Sequence, residues 1–312
     1  MSKVLIFGIG GFVGKYLTEE FTSHGYQVVG SDKFFREISG CSYFYEGDIL
    51  DFITVKKIIS TENPDIIVNL AAISSVGASW NIPQLTMDVN VKGAINILEA
   101  ARINESIPKV LFIGSSEEYV VSRYPMSEDR ELDATNPYGI SKVTQEQFAK
   151  MYREQYGMKV YYVRPFNHTG VGQKDSFVLP SWCKQVAEIS STEGLIKVGN
   201  LSVKRDFSHV KDIVRAYRLV VESDNCKLVY NIGSGRSCAL KDMLDYIIKL
   251  SGKKINIEVE QDRFRPSDQP VICCDHSLIT SQLGWEPEYT VFDALGELYK
   301  FYEGTIEKGD IK

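Results

Sequence analysis

Short apolar runs alternate with amphipathic stretches through the first half of the chain. The runs that begin near residues 3, 27, 43, 64 and 109 are rich in β-branched and aromatic residues, which is typical of buried strands. Between these runs, apolar positions recur three and four residues apart, the spacing of a helix with one buried face. One such helix is expected over 84–104 and another from 138. Strands that alternate with helices in this order predict an α/β fold with a doubly wound parallel sheet.

A glycine-rich turn directly follows the first strand. Residues 8–14 have the sequence Gly-Ile-Gly-Gly-Phe-Val-Gly, and helical periodicity resumes immediately after them. A strand, a glycine turn and a helix N-terminus in this order place backbone N–H groups against a pyrophosphate. The turn could also be a structural loop without a ligand, but the next strand ends in Asp32, where a carboxylate can bind an adenosine ribose. The sequence therefore predicts a dinucleotide site.

The alternation of strands and helices weakens after about residue 166. A helix and a last strand restore the pattern over about 210–236, while the remaining segments lack it. We therefore predict two interleaved domains. Residues 1–166 plus about 210–236 form a Rossmann domain that binds NAD(P), and about 167–209 plus 237–312 form a smaller α/β domain that binds the substrate.

Composition narrows the functional classes. The 312 residues carry a net charge of −6, so no basic excess exists to neutralise a nucleic acid or an anionic membrane. No apolar run reaches membrane-spanning length, and no secretory signal pattern is visible. The six cysteines lack C-x-x-C spacing, and His168 and His209 have no further ligands at metal-binding spacing. We expect reduced thiols, no metal site and a cytoplasmic protein.

Hydroxyl and amine side chains follow the fifth strand. Ser115 and Ser116 end that strand, and Tyr138 and Lys142 stand four residues apart in the next helix, on one face. An ammonium group near a phenol favours the phenolate and lowers the pKa of the tyrosine, while a hydroxyl group can hold a substrate oxygen. In a chain with 17 tyrosines, a Tyr-x-x-x-Lys pair alone also fits a surface helix. Its combination with the serines and the glycine turn indicates catalysis.

Five motifs together resemble the extended short-chain dehydrogenase/reductase family, the NAD-dependent epimerases, dehydratases and reductases of nucleotide-sugars. They are Gly8-x-x-Gly11-x-x-Gly14, Asn69-Leu70-Ala71-Ala72, Gly114-Ser115-Ser116-Glu117-Glu118-Tyr119, Tyr138-x-x-x-Lys142 and Arg164-Pro165-Phe166-Asn167. The glycine usual after the tyrosine of the third motif is Val120 here. The strings Arg-Pro-Phe-Asn-His-Thr-Gly, Gly-Asn-Leu and Arg-Asp-Phe are most similar to the GDP-4-keto-6-deoxymannose reductases of that family.

The resemblance implies reduction of the C4 ketone of a GDP-linked 4-keto-6-deoxyhexose by NADH or NADPH. Tyr138 would give the alkoxide its proton, Lys142 would hold the nicotinamide ribose and tune Tyr138, and Ser115 would hydrogen-bond the reacting oxygen. A 4,6-dehydratase or 4-epimerase is the alternative, because dehydratases of the family use a glutamate at the position of Glu117 as a base. A third alternative is a non-catalytic dinucleotide-binding regulator.

The resemblance also implies two sets of binding residues. The residues expected at the cofactor are Gly8, Gly10, Gly11, Phe12, Val13, Gly14, Asp32, Lys33, Asp48, Ile49, Leu70, Ala71, Ala72, Ser74, Tyr138, Lys142 and Arg164. The residues expected at the substrate are Ser115, Ser116, Glu117, Asn167, Val178, Lys184, Asn200, Arg205 and Arg265. Two positions have alternatives: Asp48 could cap the helix that begins near Phe52, and Arg164 could pair locally.

The predicted cofactor is NAD(H), with NADP(H) as the alternative. A 2′-phosphate at the ribose would face the fixed negative charge of Asp32, although Lys33 and Arg36 could offset part of it. Members of the family often dimerise through two helices, here 83–102 and 138–155, so the resemblance also implies a homodimer.

Overall fold

A seven-stranded parallel sheet forms the centre of the protein. The computed structural model describes residues 1–120, 122, 124–224, 227–264 and 270–307. Its strands are β1 (Lys3–Phe7), β2 (Gln27–Asp32), β3 (Cys41–Glu46), β4 (Ile66–Asn69), β5 (Lys109–Ile113), β6 (Val160–Pro165), β7 (Asn167–Thr169), β8 (Glu193–Val198), β9 (Lys204–His209), β10 (Val229–Ile232), β11 (Ser237–Ala239) and β12 (Lys254–Val259). Seven of them form the large sheet, in the order β10-β6-β5-β4-β1-β2-β3.

The strand order of the large sheet reverses between β1 and β4. All neighbouring strands in it are parallel. The chain moves outward from β1 to β3 and then crosses back to β4 on the other side of β1. Open parallel sheets bind ligands beyond the carboxyl ends of their strands at such a reversal. The predicted fold class is confirmed, and the reversal places a binding crevice beside the glycine turn.

Helices cover both faces of the large sheet. The helices are α1 (Phe12–Ser23), α2 (Phe52–Glu62), α3 (Val76–Asn81), α4 (Pro83–Met87), α5 (Gly93–Arg102), α6 (Pro137–Tyr156), α7 (Val178–Glu188), α8 (Val210–Glu222), α9 (Leu240–Ser251), α10 (Ser277–Leu283) and α11 (Val291–Glu307). Along β1, Val4 and Ile6 join a core with α1 and α8, while Leu5 and Phe7 join a core with α2, α5 and α6. Burial on both faces explains why this strand is apolar throughout.

The helix predicted over 84–104 is interrupted. It begins at Pro83 as α4 and passes through a π-turn, Asp88–Lys92, before α5. Asn90 in this turn donates to the Ser141 hydroxyl at 2.9 Å, and its side-chain oxygen accepts from the Ile73 N–H at 2.8 Å. Its carbonyl accepts from the Gln145 side chain at 2.9 Å. The π-turn therefore ties the loop after β4 to α6, and π-turns of this kind occur frequently at functional sites.

The remaining strands form two small sheets with a separate core. One sheet has the order β11-β9-β7, and the other pairs β8 with β12 in parallel. The apolar faces of α7, α9 and α11 bury a third core that includes Trp182 and Leu298. Because β10 pairs with β6, the chain returns to the large sheet before it enters β11. The proposed division into two domains remains a prediction.

Three further expectations concern membranes, cysteines and metals. Within the described ranges, no helix combines the length and apolarity needed to cross a membrane. Cys41, Cys183, Cys238, Cys273 and Cys274 are free thiols, and Cys226 lies outside the described residues. His168 stacks on Phe12 with ring centres 6.2 Å apart, and buried His209 approaches Glu297 at 3.2 Å. Both histidines therefore have packing or pairing partners, and the part of the chain that the structure describes contains no group of three candidate metal ligands.

Candidate active site

The turn after β1 has no room for side chains at two of its glycines. Gly8 has a positive φ of 77°, and a Cβ there would lie 2.4 Å from the backbone nitrogen of Ala71. A Cβ at Gly14 would lie 1.9 Å from the carbonyl oxygen of Ile9. The cap of α1 is Gly11, which offers no side-chain acceptor to the first N–H groups of the helix. The turn is therefore a close backbone cradle at a helix N-terminus, which suits a pyrophosphate.

Asp32 lies against this cradle. One carboxylate oxygen accepts from the Gly10 N–H at 2.9 Å, and the other accepts from the Lys33 N–H at 2.7 Å. The Arg36 guanidinium donates to the Gly10 carbonyl at 3.1 Å. The Lys33 ammonium is 3.0 Å from the Asp48 carboxylate. The acid predicted to bind a ribose is thus fixed beside the glycine turn, with its neighbouring lysine directed elsewhere.

The residues after β4 pack against the glycine turn, and Ile49, after β3, packs against α5. Ala71 contacts Gly8, and its N–H donates a hydrogen bond to the Asn69 side chain at 3.1 Å, which fixes its position. Buried Ile49 packs on Gly93, where a Cβ would lie 2.4 Å from its methyl carbon. The helix that begins at Phe52 is capped by Asp51, so Asp48 is not its cap. The cofactor contacts of Asp48, Ile49, Leu70, Ala72 and Ser74 remain predictions.

Ser115, Tyr138 and Lys142 meet at the carboxyl end of β5. The Ser115 hydroxyl accepts from the Glu117 N–H at 3.1 Å, and Ser115 is near enough to the Tyr138 hydroxyl to lower the pKa of that phenol. Buried Lys142 donates to the Ile113 carbonyl at 2.6 Å, and its nitrogen lies 5.8 Å from the centre of the Tyr138 ring. The structure therefore brings together the three residues that the sequence analysis selected as catalytic.

The local sequence explains why α6 begins where it does. Asn136 caps the helix by accepting from the Gly139 N–H at 2.9 Å, and Pro137 occupies the first helical position. The Asn136 side chain also donates to the Glu117 carboxylate at 3.0 Å. This second bond joins the start of α6 to the turn after β5. The sequence analysis missed Asn136, although an asparagine before a helical proline is a recognisable cap.

The expectation of a lowered pKa for Tyr138 is wrong for the protein alone. Burial raises the pKa of Tyr138 above its usual range, and the hydrogen bond with Ser115 offsets only part of that rise. Burial lowers the pKa of Lys142 to about 8, while Glu118 acts in the opposite direction. Spacing along a helix predicts that two groups are close, but it does not reveal how far both are removed from water. Tyr138 is consequently a protonated phenol at neutral pH.

Arg164 pairs locally with neighbouring side chains. Its guanidinium makes two bonds to the Glu146 carboxylate, at 2.7 and 2.5 Å. A third nitrogen donates to the Tyr119 hydroxyl at 2.6 Å and to the Glu128 carbonyl at 3.1 Å. These bonds and its burial agree with the alternative of local pairing, and the predicted contact of Arg164 with the cofactor remains a prediction.

The predicted substrate residues of the second half have local partners. Lys184 pairs with Asp175 at 2.7 Å, Asn200 accepts from Ser202, and Arg205 donates to the Lys204 carbonyl at 2.9 Å. Two more of these residues occupy element ends: Asn167 begins β7 and Val178 begins α7. Arg265 lies outside the described residues. Their contacts with a sugar or diphosphate, and those of Ser116, remain predictions.

Comparison with known proteins identifies the family. Residues 5–298 match the family model described as GDP-mannose 4,6 dehydratase. The chain belongs to this family. That membership confirms the resemblance to NAD-dependent epimerases and dehydratases, and with it an NAD(P)-dependent enzyme of nucleotide-sugars.

The similar proteins of known name include both reductases and dehydratases. The GDP-6-deoxy-D-mannose reductase of Pseudomonas aeruginosa is 26% identical over 324 aligned positions, covering 98% of this chain and 99% of the relative. The GDP-mannose 4,6-dehydratase of Yersinia enterocolitica is 28% identical over 346 positions, covering 96% and 93%. Sequence similarity of this size therefore does not separate the two activities.

Solved structures of similar proteins include one complex with NADPH and another with NAD, the two predicted cofactors. RMD from Pseudomonas aeruginosa complexed with NADPH has a TM-score of 0.85 and 25% identity, covering 97% of this chain and 100% of that one. A UDP-glucose 4-epimerase from Brucella ovis in complex with NAD has a TM-score of 0.88 and 26% identity, covering 97% and 99%. The class of cofactor, a nicotinamide dinucleotide, agrees with the glycine cradle.

Proposed function

We propose that the protein reduces the C4 ketone of a GDP-linked 4-keto-6-deoxyhexose. The observation that carries this proposal is the buried Tyr138 phenol beside Lys142, because burial raises the pKa of this phenol and leaves it a proton donor. Ketone reduction needs a proton donor at the carbonyl oxygen, whereas oxidation of a sugar hydroxyl needs a base there. The similar reductase of Pseudomonas aeruginosa supports the nucleotide and the sugar class.

The site residues divide the reaction between them. A bound reduced nicotinamide supplies the hydride that adds to the carbonyl carbon. The Tyr138 hydroxyl gives its proton to the carbonyl oxygen as negative charge develops there, and Ser115 donates a hydrogen bond to the same oxygen. The Lys142 ammonium, close to the Tyr138 ring, stabilises the tyrosinate that remains until a solvent proton restores the phenol. The glycine cradle and Asp32 bind the dinucleotide.

A 4,6-dehydratase or 4-epimerase is the second candidate, and the position of Glu117 favours it. The Glu117 carboxylate accepts from Asn136 in the same turn as Ser115, so a base is available beside the catalytic hydroxyl. The dehydratase of Yersinia enterocolitica is as similar as the reductase. A dehydratase or epimerase converts GDP-mannose without added cofactor, whereas a reductase requires both added reduced cofactor and the 4-keto sugar.

Incubation with GDP-mannose separates the candidates. We expect the purified protein to leave GDP-mannose unchanged, because a reductase has no ketone to attack in it. We expect oxidation of added NADH only when the GDP-linked 4-keto-6-deoxy sugar is present, measured by the absorbance of the reduced nicotinamide. Conversion of GDP-mannose to a 4-keto or epimeric product, detected by chromatography, would contradict the proposal and support the second candidate.

We also predict a preference for NADH over NADPH. Asp32 is fixed by two backbone N–H groups, while Lys33 is engaged with Asp48 and Arg36 with the Gly10 carbonyl. A 2′-phosphate would therefore meet a negative charge that these two cations offset only in part. Asp32→Ala should raise the kcat/KM for NADPH relative to NADH by about threefold to tenfold, or roughly 1 kcal/mol. A general loosening of the glycine turn would lower kcat/KM for both cofactors alike, so it does not change the ratio of the two values. Glu37→Ala, which removes an exposed acid from the same loop, serves as the control. Equal ratios in Asp32→Ala and wild type would refute the assignment.

We further infer a cytoplasmic homodimer. Exposed apolar side chains on α3, α4 and α6 support pairing through these helices: Trp80 is 61% exposed, Leu85 46% and Ile140 46%. The free thiols support a reducing compartment. Light scattering measures the dimer directly, and a monomeric mass at micromolar concentration would exclude it.

A further inference from the structure

Glu118 is buried directly behind the catalytic serine. It is fully inaccessible to solvent, and one carboxylate oxygen accepts from the Ser115 backbone N–H at 2.7 Å. The other oxygen is buried without a hydrogen-bond partner. A carboxylate that is removed from water is costly unless nearby charges and donors compensate for it. Neither the glycine cradle nor the proton transfer from Tyr138 accounts for an acid at this position.

The nearest cation is already engaged by another acid. Arg164 makes two close bonds to Glu146, whereas its nitrogen lies 3.9 Å from the Glu118 carboxylate. The Tyr162 hydroxyl is 3.3 Å from Glu118, but it donates its single proton to the Lys142 carbonyl at 2.8 Å. Glu118 is therefore the second carboxylate beside one guanidinium, and the cation left to balance its charge is the buried Lys142.

Charge counting links Glu118 with Lys142. The charged groups that act on Glu118 are Glu146 and Lys142 from α6 and Arg164 from β6. With all four groups ionised, the cluster is neutral. Removal of the charge of Glu118 leaves an unbalanced cation in a buried site, which favours loss of the proton from Lys142.

We propose that Glu118 is a positioning residue, which fixes the backbone of Ser115 and keeps Lys142 in its ammonium form at alkaline pH. The roles of Ser115 and Lys142 belong to the proposed function, on which this inference rests. Burial raises the pKa of Glu118 to about 8, with Glu146 adding to the rise and Arg164 opposing it. Burial lowers the pKa of Lys142 to about 8, and Glu118 opposes that change. Each group therefore shifts the titration of the other: ionised Glu118 favours the ammonium form of Lys142, and that ammonium favours ionised Glu118.

Glu118→Gln isolates the charge. The amide keeps an oxygen that can accept from the Ser115 N–H, and it matches the protonated carboxyl in shape. Below about pH 7 the variant should bind NADH as wild type does. At that pH the Glu118 carboxyl of the wild type is protonated, so both proteins carry an uncharged side chain at this position. Above about pH 8, Lys142 should lose its proton earlier in the variant, so the alkaline fall in NADH affinity should move by about half a pH unit or more toward acid.

The experiment is NADH binding, followed by nicotinamide fluorescence from pH 6 to pH 10. The matched control is Glu154→Gln, which removes an exposed carboxylate from α6 and should follow the wild-type curve. Superimposed curves for wild type and Glu118→Gln would overturn the inference, and so would an equal weakening at every pH, which indicates a purely structural role. The binding experiment uses no sugar, so it is independent of turnover. If the curve shifts but the protein does not reduce the 4-keto sugar, the inference about Glu118 holds and the proposed function is wrong.

Unfolding measurements test the ionisation of Glu118 without any ligand. Its folded-state pKa is raised, so its contribution to stability is complete below the unfolded pKa, about 4.3, and is lost as the pH rises to about 8. The urea midpoint of Glu118→Gln should therefore rise relative to wild type between pH 5 and pH 8 and level off above. A difference that stays constant across this range would overturn the inference.

Discussion

Tyr138→Phe is expected to lower kcat by about 10²–10⁴-fold, the usual contribution of a positioned general acid. The substitution removes only the hydroxyl group of this buried side chain. The aromatic ring that lies near Lys142 remains, so we expect NADH affinity to change by less than about threefold. The two quantities are measured separately, as turnover of the 4-keto sugar and as NADH fluorescence.

Tyr156→Phe provides the matched control for this substitution. Tyr156 lies on the same helix, is 50% exposed and stacks under Arg102, away from the catalytic group. Its kcat should equal that of the wild type. If Tyr138→Phe kept kcat within threefold of wild type while it still bound NADH, the proton would come from another group and the catalytic assignment would be wrong.

Gly14→Ala is expected to disrupt the cofactor cradle. The added methyl group would lie 1.9 Å from the Ile9 carbonyl oxygen, which is backbone and cannot rotate away. Overpacking of this kind costs about 1–3 kcal/mol. Because the displaced turn is the one proposed to bind the pyrophosphate, NADH affinity should fall by about 10–100-fold, measured by fluorescence titration.

Gly304→Ala separates this local effect from a general effect of added methyl groups. Gly304 lies in α11, and a Cβ there would meet nothing within 4 Å. Alanine in a helix is more stable than glycine by roughly 0.5–1 kcal/mol, so the free energy of unfolding should rise and NADH affinity should not change. Wild-type affinity in Gly14→Ala would show that the turn does not bind the dinucleotide.

The features that the sequence predicted depend on short stretches of chain. The sheet strands predicted from apolar runs, the glycine turn and the proximity of Tyr138 to Lys142 each follow from a pattern within a few residues. Parallel strands then bring their carboxyl ends to one edge, so Ser115 and Asp32 lie at the edge that the turn occupies. This logic requires no knowledge of distant partners.

The features that the sequence did not predict depend on distant partners or on burial. Arg164 is paired with Glu146, eighteen residues earlier, and a motif at a strand end does not reveal that partner. The π-turn around Asn90 is stabilised by Ile73, Ser141 and Gln145, from two other segments of the chain. The raised pKa of Tyr138 follows from desolvation, which exists only after the domain has packed.

The pairing of β10 with β6 determines when the large sheet can be completed on the ribosome. β6 ends at Pro165 and its outer neighbour begins at Val229, so the chain between them must be synthesised first. At ~5–20 residues per second, the outer edge of β6 stays unpaired for several seconds. An unpaired strand edge is a template for aggregation. A nascent chain that stalls before Val229 therefore exposes this edge of β6. Until β10 emerges in the last third of the chain, we expect chaperones to cover the edge in the cell.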